Sequence, residues 1–271
     1  MAERMQPPSK MTSEAVRAML DCDRRMGLKD WPIKRPVVVR ARRASAPAQR
    51  GQGPRGRVGQ GGASSQGGTQ SQQLQVLDEN SVRGCTLCGL SKTRTQTVFG
   101  QGNASARLVF VGEAPGFEED KQGLTFVGRA GQLLTKMIIA MGLSREQVFI
   151  CNVLKCRPPG NRYPAPDEIE ACQPYLREQL RIIHPEVIVT LGAPASKTLL
   201  NSTQTIGKLR GRFHEYHLTD ASGETSPTDC IPLMPTYHPA YLLRSPGEKG
   251  KTWSDLQMVM AKLGLKSPGD T

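Results

Sequence analysis

The sequence predicts an α/β protein, a three-layer α/β/α sandwich around a mostly parallel sheet, preceded by a basic N-terminal extension. Three observations carry this. Short apolar runs of strand length alternate four times with stretches that are apolar at helical intervals. Each run ends at a glycine, proline or asparagine that opens a loop. The chain also changes composition: of a net charge of +12, residues 1–75 carry +9, from 14 Lys/Arg against 5 Asp/Glu.

The extension comes first. Thr12 to Met26 reads as a short helix capped by Thr12 or Ser13, with Val16, Met19 and Leu20 as its apolar stripe. It is either a docking helix for a partner or a helix that forms only transiently. Residues 28–75 read as a flexible basic linker, because residues 51–73 hold eight glycines and no aromatic side chain. Arg40, Arg42 and Arg43 suit phosphate-backbone contact without sequence preference; a solubilising tail is the alternative. The folded domain is expected over residues 76–267, starting near Leu77.

Within it, Leu108–Val111 is the first clear strand, followed by the Gly112-Glu113-Ala114-Pro115-Gly116 loop and a second glycine-framed loop at Phe126-Val127-Gly128. A helix follows with Ala130, Leu133, Leu134, Met137, Ile138 and Met141 on one face. Val148–Cys151 is the next strand and runs into Asn152. Pro166 with Asp167 and Glu168 behind it starts a helix, since proline suits a first turn and acids suit its dipole. Ile169, Cys172, Leu176, Leu180 and Ile183 form that helix's apolar face. Glu186–Leu191 is a strand, and Gly192-Ala193-Pro194 turns into a helix through Leu200. After the basic segment Lys208–Arg212 and a polar loop over 219–229 comes a last strand, Ile231–Met234, with Tyr237-His238-Pro239 just beyond it. Trp253, Leu256, Met260 and Leu263 mark a closing helix. The loops at Gly112, Asn152 and His238 should leave the same edge of the sheet, the usual place for a site in this fold class.

The totals narrow the function. The pI near 9.6 points to a polyanionic partner, nucleic acid before membrane. No apolar run approaches the ~18 residues of a membrane span, and the N-terminus lacks an apolar signal core. A soluble, cytoplasmic, nucleoid-associated monomer is therefore expected. In that compartment seven cysteines read as ligands and buried thiols rather than disulfides. Cys85, Cys88, Cys156 and Cys172 form the candidate ligand set, at intervals of three, sixty-eight and sixteen residues. Four thiolates suit structural zinc or an iron–sulfur cluster, and spacing does not choose between them. Cys151 reads as core, while Cys22 and Cys230 have no partner spacing.

GEAPGFEED, GLTFVGRAGQLL, NVLKCRPPGNR, the helix cysteine and HPAYLLR follow one another over residues 77–265. In that order they closely resemble the iron–sulfur (family 4) uracil-DNA glycosylases. The resemblance implies a 4Fe-4S cluster on Cys85, Cys88, Cys156 and Cys172, and hydrolysis of the glycosidic bond of deoxyuridine in single- or double-stranded DNA. It implies that Phe126 stacks on the extruded base and that Asn152 reads its edge, with Gly112 and Ala114 lining the pocket. His238 would hydrogen-bond uracil as charge develops, and Glu113, helped by Glu119, would orient water or the loop. Better-studied members of the superfamily carry an aspartate where this chain has Ala114, so their simplest water-activation scheme is missing. Tyr241, Leu242 and Arg244 would press into DNA. A related branch that traps DNA covalently has a basic insert after the Asn152 segment; its absence here implies ordinary turnover. A metal-stapled DNA-binding module, or a glycosylase for another base, are the rival readings. Residues 1–75 would serve a repair or replication partner.

Overall fold

The computed structural model describes residues 68–219 and 225–266. The helix expected at Thr12–Met26, the basic linker up to residue 67 and Cys22 lie outside the described residues. The first described helix, α1 (Gln70–Leu77), takes in residues 70–75, which composition had assigned to the linker. Tertiary contacts account for the difference: Leu74 is buried, and the Gln70 side chain donates to the carbonyls of Ile182 and Ile183 at 2.8 and 3.2 Å. Thr69 caps the helix in a box with Gln72.

The sheet contains strands β1 (Gln101–Gly102), β2 (Leu108–Gly112), β3 (Phe149–Asn152), β4 (Val187–Leu191), β5 (His214–Thr219) and β6 (Thr225–Thr236). Their order is β1-β3-β2-β4-β6-β5. β3, β2, β4 and β6 run parallel, and β1 and β5 pair antiparallel at the two edges. The predicted mostly parallel sheet is therefore present. Its central strands are buried on both faces, as parallel strands under helical layers must be. Val109, Val111, Ile188 and Leu233 share a core with Leu74, Leu176, Leu180 and Leu199. These helical partners come from α1, α4 (Pro166–Ile183) and α5 (Ala193–Leu200). Leu108, Phe110 and Val189 alternate with those strand residues and are buried too, on the opposite face. The helices α2 (Phe117–Gln122), α3 (Arg129–Ala140), α6 (Ile206–Leu209), α7 (Pro239–Arg244) and α8 (Lys249–Lys262) complete the described fold. None of the described helices is long and apolar enough to cross a membrane.

One strand pair departs from expectation. β5 and the first half of β6 form a hairpin where a polar loop was expected, with Tyr216 and Leu218 buried and Glu215 turned out. Pro235 fits into β6 because the pairing with β5 stops at Leu233, so nothing there needs its missing N–H. The basic segment Lys208–Arg212 is also structural in part. Arg210 makes a two-pronged ion pair with buried Asp255 of α8 at 2.7 and 3.0 Å, and lies over the Tyr237 ring. The same carboxylate accepts from the Thr236 hydroxyl at 2.6 Å. The end of β6 is thus fastened to the last helix.

Candidate active site

β3 and β4 lie on opposite sides of β2, so the chain reverses its direction of winding there, and the carboxyl ends of these strands open onto a crevice. The register sets Gly112 beside Asn152 and Leu191 beside Thr236. All three expected loops therefore meet. One pocket is lined by Glu113, Ala114, Glu119, Phe126, Asn152 and His238.

Its floor is built on close approach. A Cβ at Gly112 would lie 2.3 Å from Asn152 Oδ1 and 2.7 Å from the Phe126 ring, so only glycine lets amide and ring share this corner. Asn152 is 1 % exposed, and among the described residues its Oδ1 accepts no hydrogen bond. A buried amide oxygen without a partner costs about 1–3 kcal/mol, and it belongs to a residue that lines the pocket.

Phe126 is buried despite its place between turn glycines, and its backbone is left-handed at φ 51°. Such a conformation persists only where the surroundings impose it. Here two opposite charges grip the segment. Glu119 Oε1 accepts from the amides of Val127 and Gly128 at 2.9 and 3.0 Å, at the start of α3, where the helix dipole favours an anion. Arg145 donates to the carbonyls of Thr125 and Phe126 at 2.7 and 3.3 Å. Gly131 leaves room behind: a Cβ there would stand 1.8 Å from the Phe126 carbonyl oxygen. Glu119 is thus occupied in holding the loop.

His238 is half-buried, its ring 5.7 Å from that of Phe126. Gly192, at φ 90°, admits it: a Cβ there would come within 2.9 Å of the His238 Cβ. Nδ1 accepts from the Ala240 amide at 3.1 Å, so the proton of the neutral ring sits on Nε2. Burial, then the nearby charge of Arg244, pushes the imidazolium down to about 4 against a smaller opposing pull from Glu119. Burial pushes the Glu113 carboxyl up to about 7. Near neutrality the pocket holds an uncharged imidazole that donates and a carboxyl poised to ionise.

Tyr241 and Arg244 line the pocket mouth. Leu242 does not join them. It is fully buried on the inner side of α7, so the expectation that it presses into DNA is corrected: helical spacing turns it away from its neighbours.

The four predicted cysteines come together around a second cavity with Val82, Leu90, Leu154 and Tyr175. Three donors point at sulfur: Arg94 to Cys156 at 3.2 Å, the Lys155 amide to Cys172 at 3.2 Å, and the Tyr175 hydroxyl to Cys85 at 3.3 Å. Among the described residues no three His, Cys, Asp or Glu side chains converge closely enough for a single metal ion. Cys151 is core, as read. Lys155, which sequence reasoning missed, is buried between the two sites. Its Nζ donates to the Asn152 carbonyl at 2.8 Å and to Gln179 Oε1 at 2.6 Å. Arg145 was missed as well; its partners are 10 to 20 residues away and leave no local pattern.

Residues 99–257 match the family model described as the uracil DNA glycosylase superfamily. The type-4 uracil-DNA glycosylase of Thermotoga maritima is 45 % identical over 181 residues, covering 65 % of this chain and 86 % of that protein. That of Archaeoglobus fulgidus is 41 % identical over 201 residues, covering 72 % and 97 %. The chain belongs to the type-4 branch of the uracil-DNA glycosylase superfamily. Similarity to the type-5 uracil-DNA glycosylase of Pyrobaculum aerophilum is lower, 30 % over 156 residues, covering 52 % of this chain and 64 % of that protein. The superfamily match spans every wall of the pocket from Glu113 to Arg244.

The packing around Phe126 gives a first test. Gly131→Ala should cost about 1–3 kcal/mol in urea unfolding, because backbone rather than a pliable side chain must yield. Gly250→Ala, where a Cβ meets nothing within 4 Å, should be neutral or slightly stabilising.

Proposed function

We propose that this chain is a DNA-repair hydrolase that removes uracil from DNA and leaves an abasic site. The observation that carries this reading is the buried, unpartnered Oδ1 of Asn152, facing a pocket walled by Phe126 and His238. The names of the similar type-4 proteins support the same substrate.

The residues account for the chemistry step by step. A base inside a duplex is out of reach, so it must be swung out at a cost of a few kcal/mol. Phe126 gives it a stacking face. Asn152 Oδ1 accepts from uracil N3–H and the amide N–H donates to O4. Cytosine presents the reverse pattern and would leave both amide atoms unsatisfied, which is how a buried polar group rejects a near-isostere. As the glycosidic bond stretches, the sugar gains positive character and the departing base becomes an anion. His238 Nε2–H donates to O2 as that charge grows. Because the imidazole is already neutral, it acts as a fixed dipole and need not part with a proton. Glu113, once ionised, orients the attacking water or stabilises the sugar cation, while Glu119 positions Phe126. Tyr241 and Arg244 contact the DNA beside the lesion.

The cysteine site supports the reading that Cys85, Cys88, Cys156 and Cys172 would hold a 4Fe-4S cluster. Four thiols line one largely apolar cavity, and three N–H or O–H donors point at sulfur. When bound, the cluster would act as a covalent staple, since hydrolysis of this bond moves no electrons. It would tie the segment carrying Cys85 and Cys88 to α4 and to the loop after Asn152.

The decisive assay is release of uracil from a labelled U-containing oligonucleotide by anaerobically purified protein. Alkali-labile breaks should arise at U and not at T or C, and Asn152→Ala should lower the rate about a hundred-fold or more. DNA binding without cleavage by protein carrying its cluster would favour the binding-module reading, and cleavage at another base would revise the substrate. The rate of base release should also rise as pH climbs through about 7, where Glu113 loses its proton, and then level off. Glu113→Gln should flatten that limb. Finally, Cys172→Ala should abolish the visible iron–sulfur absorption. In hydrogen exchange it should open the segment from residue 78 to 94 before the sheet; uniform loss of protection would argue against a local staple.

A further inference from the structure

The loop joining Cys156 to α4 holds a tyrosine in water at the edge of the pocket. Tyr163 is 77 % exposed, more than any other large hydrophobic side chain among the described residues, yet it lines the same recess as Asn152 and His238. Its backbone is fixed. Gly160 and Asn161 take left-handed conformations in succession, at φ 63° and 55°, which folds the loop back on itself. Arg157 donates to Asn161 Oδ1 at 2.7 Å and locks that turn. On the other side, Arg162 donates to the Tyr163 carbonyl at 3.0 Å and pairs through both nitrogens with Glu168 at 2.6 and 2.9 Å. Glu168, buried at the first turn of α4, also accepts from the Ala165 amide at 2.8 Å. A rigid backbone thus presents an exposed ring, which lowers the entropy lost when something stacks on it.

The neighbours indicate what that is. The Arg157 guanidinium lies 5.1 Å over the ring of Phe117, itself 56 % exposed, and Arg162, Tyr241 and Arg244 line the same mouth. Cations interleaved with open aromatic faces suit a nucleic-acid strand, the cations following phosphates and the rings taking bases. We propose that Tyr163 stacks on a base next to the extruded uracil, making the 157–163 loop a grip on unpaired DNA. In a duplex the neighbouring base is held in the helix by its partner and its outer neighbour, so it cannot turn out to meet the tyrosine. In a single strand it can. The inference rests on the uracil-excising reading and adds to it a contact at the edge of that recess, with a preference for strand state.

The test uses the full chain with its cluster and a fluorescein-labelled oligonucleotide bearing a tetrahydrofuran abasic residue at the uracil position, single-stranded or in duplex. Binding is followed by anisotropy for wild type, Tyr163→Ala and Tyr163→Phe. Tyr163→Ala should raise Kd for the single strand about ten-fold, as loss of one base–aromatic stack does. For the duplex the change should be less than about two-fold, and Tyr163→Phe should bind the single strand as wild type does. The slope of log Kd against log salt should not change, because a stacked ring neutralises no phosphate. Unchanged single-strand binding, equal losses on both DNA forms, or a phenylalanine variant as weak as alanine would each overturn the proposal. Failure of the uracil reading looks different: wild type would bind both oligonucleotides yet release no uracil from a U-containing one.

Discussion

Everything in the pocket depends on the contact made where Gly112 has no side chain. Parallel pairing of β2 with β3 sets Gly112 against Asn152, and the missing Cβ lets the amide and the Phe126 ring close over the same point. Neither partner could stay there unaided. The ring sits on a left-handed backbone gripped by a carboxylate on one side and a guanidinium on the other. The amide sits at a strand end whose carbonyl is held by the buried Nζ of Lys155. A one-residue slip between the strands would turn Asn152 to the other face of the sheet. The hydrophobic packing of the central strands thus sets chemical specificity, since it is burial of their alternate residues that fixes the register.

The electrostatic character of the recess has the same origin. Burial lowers the His238 imidazolium to about 4 and raises the Glu113 carboxyl to about 7, so near neutrality the imidazole is uncharged and the carboxyl is close to its midpoint. Such a recess favours a neutral base in the ground state. It answers the charge that develops later with dipoles already in place, so little reorganisation is needed during reaction.

Much of this was legible in the sequence, and the rest was hidden for identifiable reasons. The parallel strands, the three convergent loops and the cysteine set were readable because each rests on local composition or spacing. Residues 70–75 read as linker because a polar stretch with one leucine shows no apolar periodicity; the helix exists through Leu74 and the Gln70 contacts with α4. The β5–β6 hairpin was obscured by the polar composition of residues 219–229, which read as a loop, although the alternation of Tyr216 and Leu218 with polar residues was available. Leu242 was grouped with its neighbours by motif, and helix geometry separated it from them. Lys155 and Arg145 stayed invisible because their meaning lies in carbonyls that only the fold brings within reach.

The anchoring of β6 to α8 has a consequence for the order in which the molecule comes into being. The loop bearing His238 is fastened through Thr236 and Arg210 to Asp255, far along the chain from the strand that opens at Leu108. Synthesis proceeds from the N-terminus, and a domain folds as a unit once its parts are available. A growing chain that has already displayed Asn152 and Phe126 still lacks the carboxylate that secures its histidine. Two walls of the pocket emerge early, and the third is secured only when the last described helix leaves the ribosome.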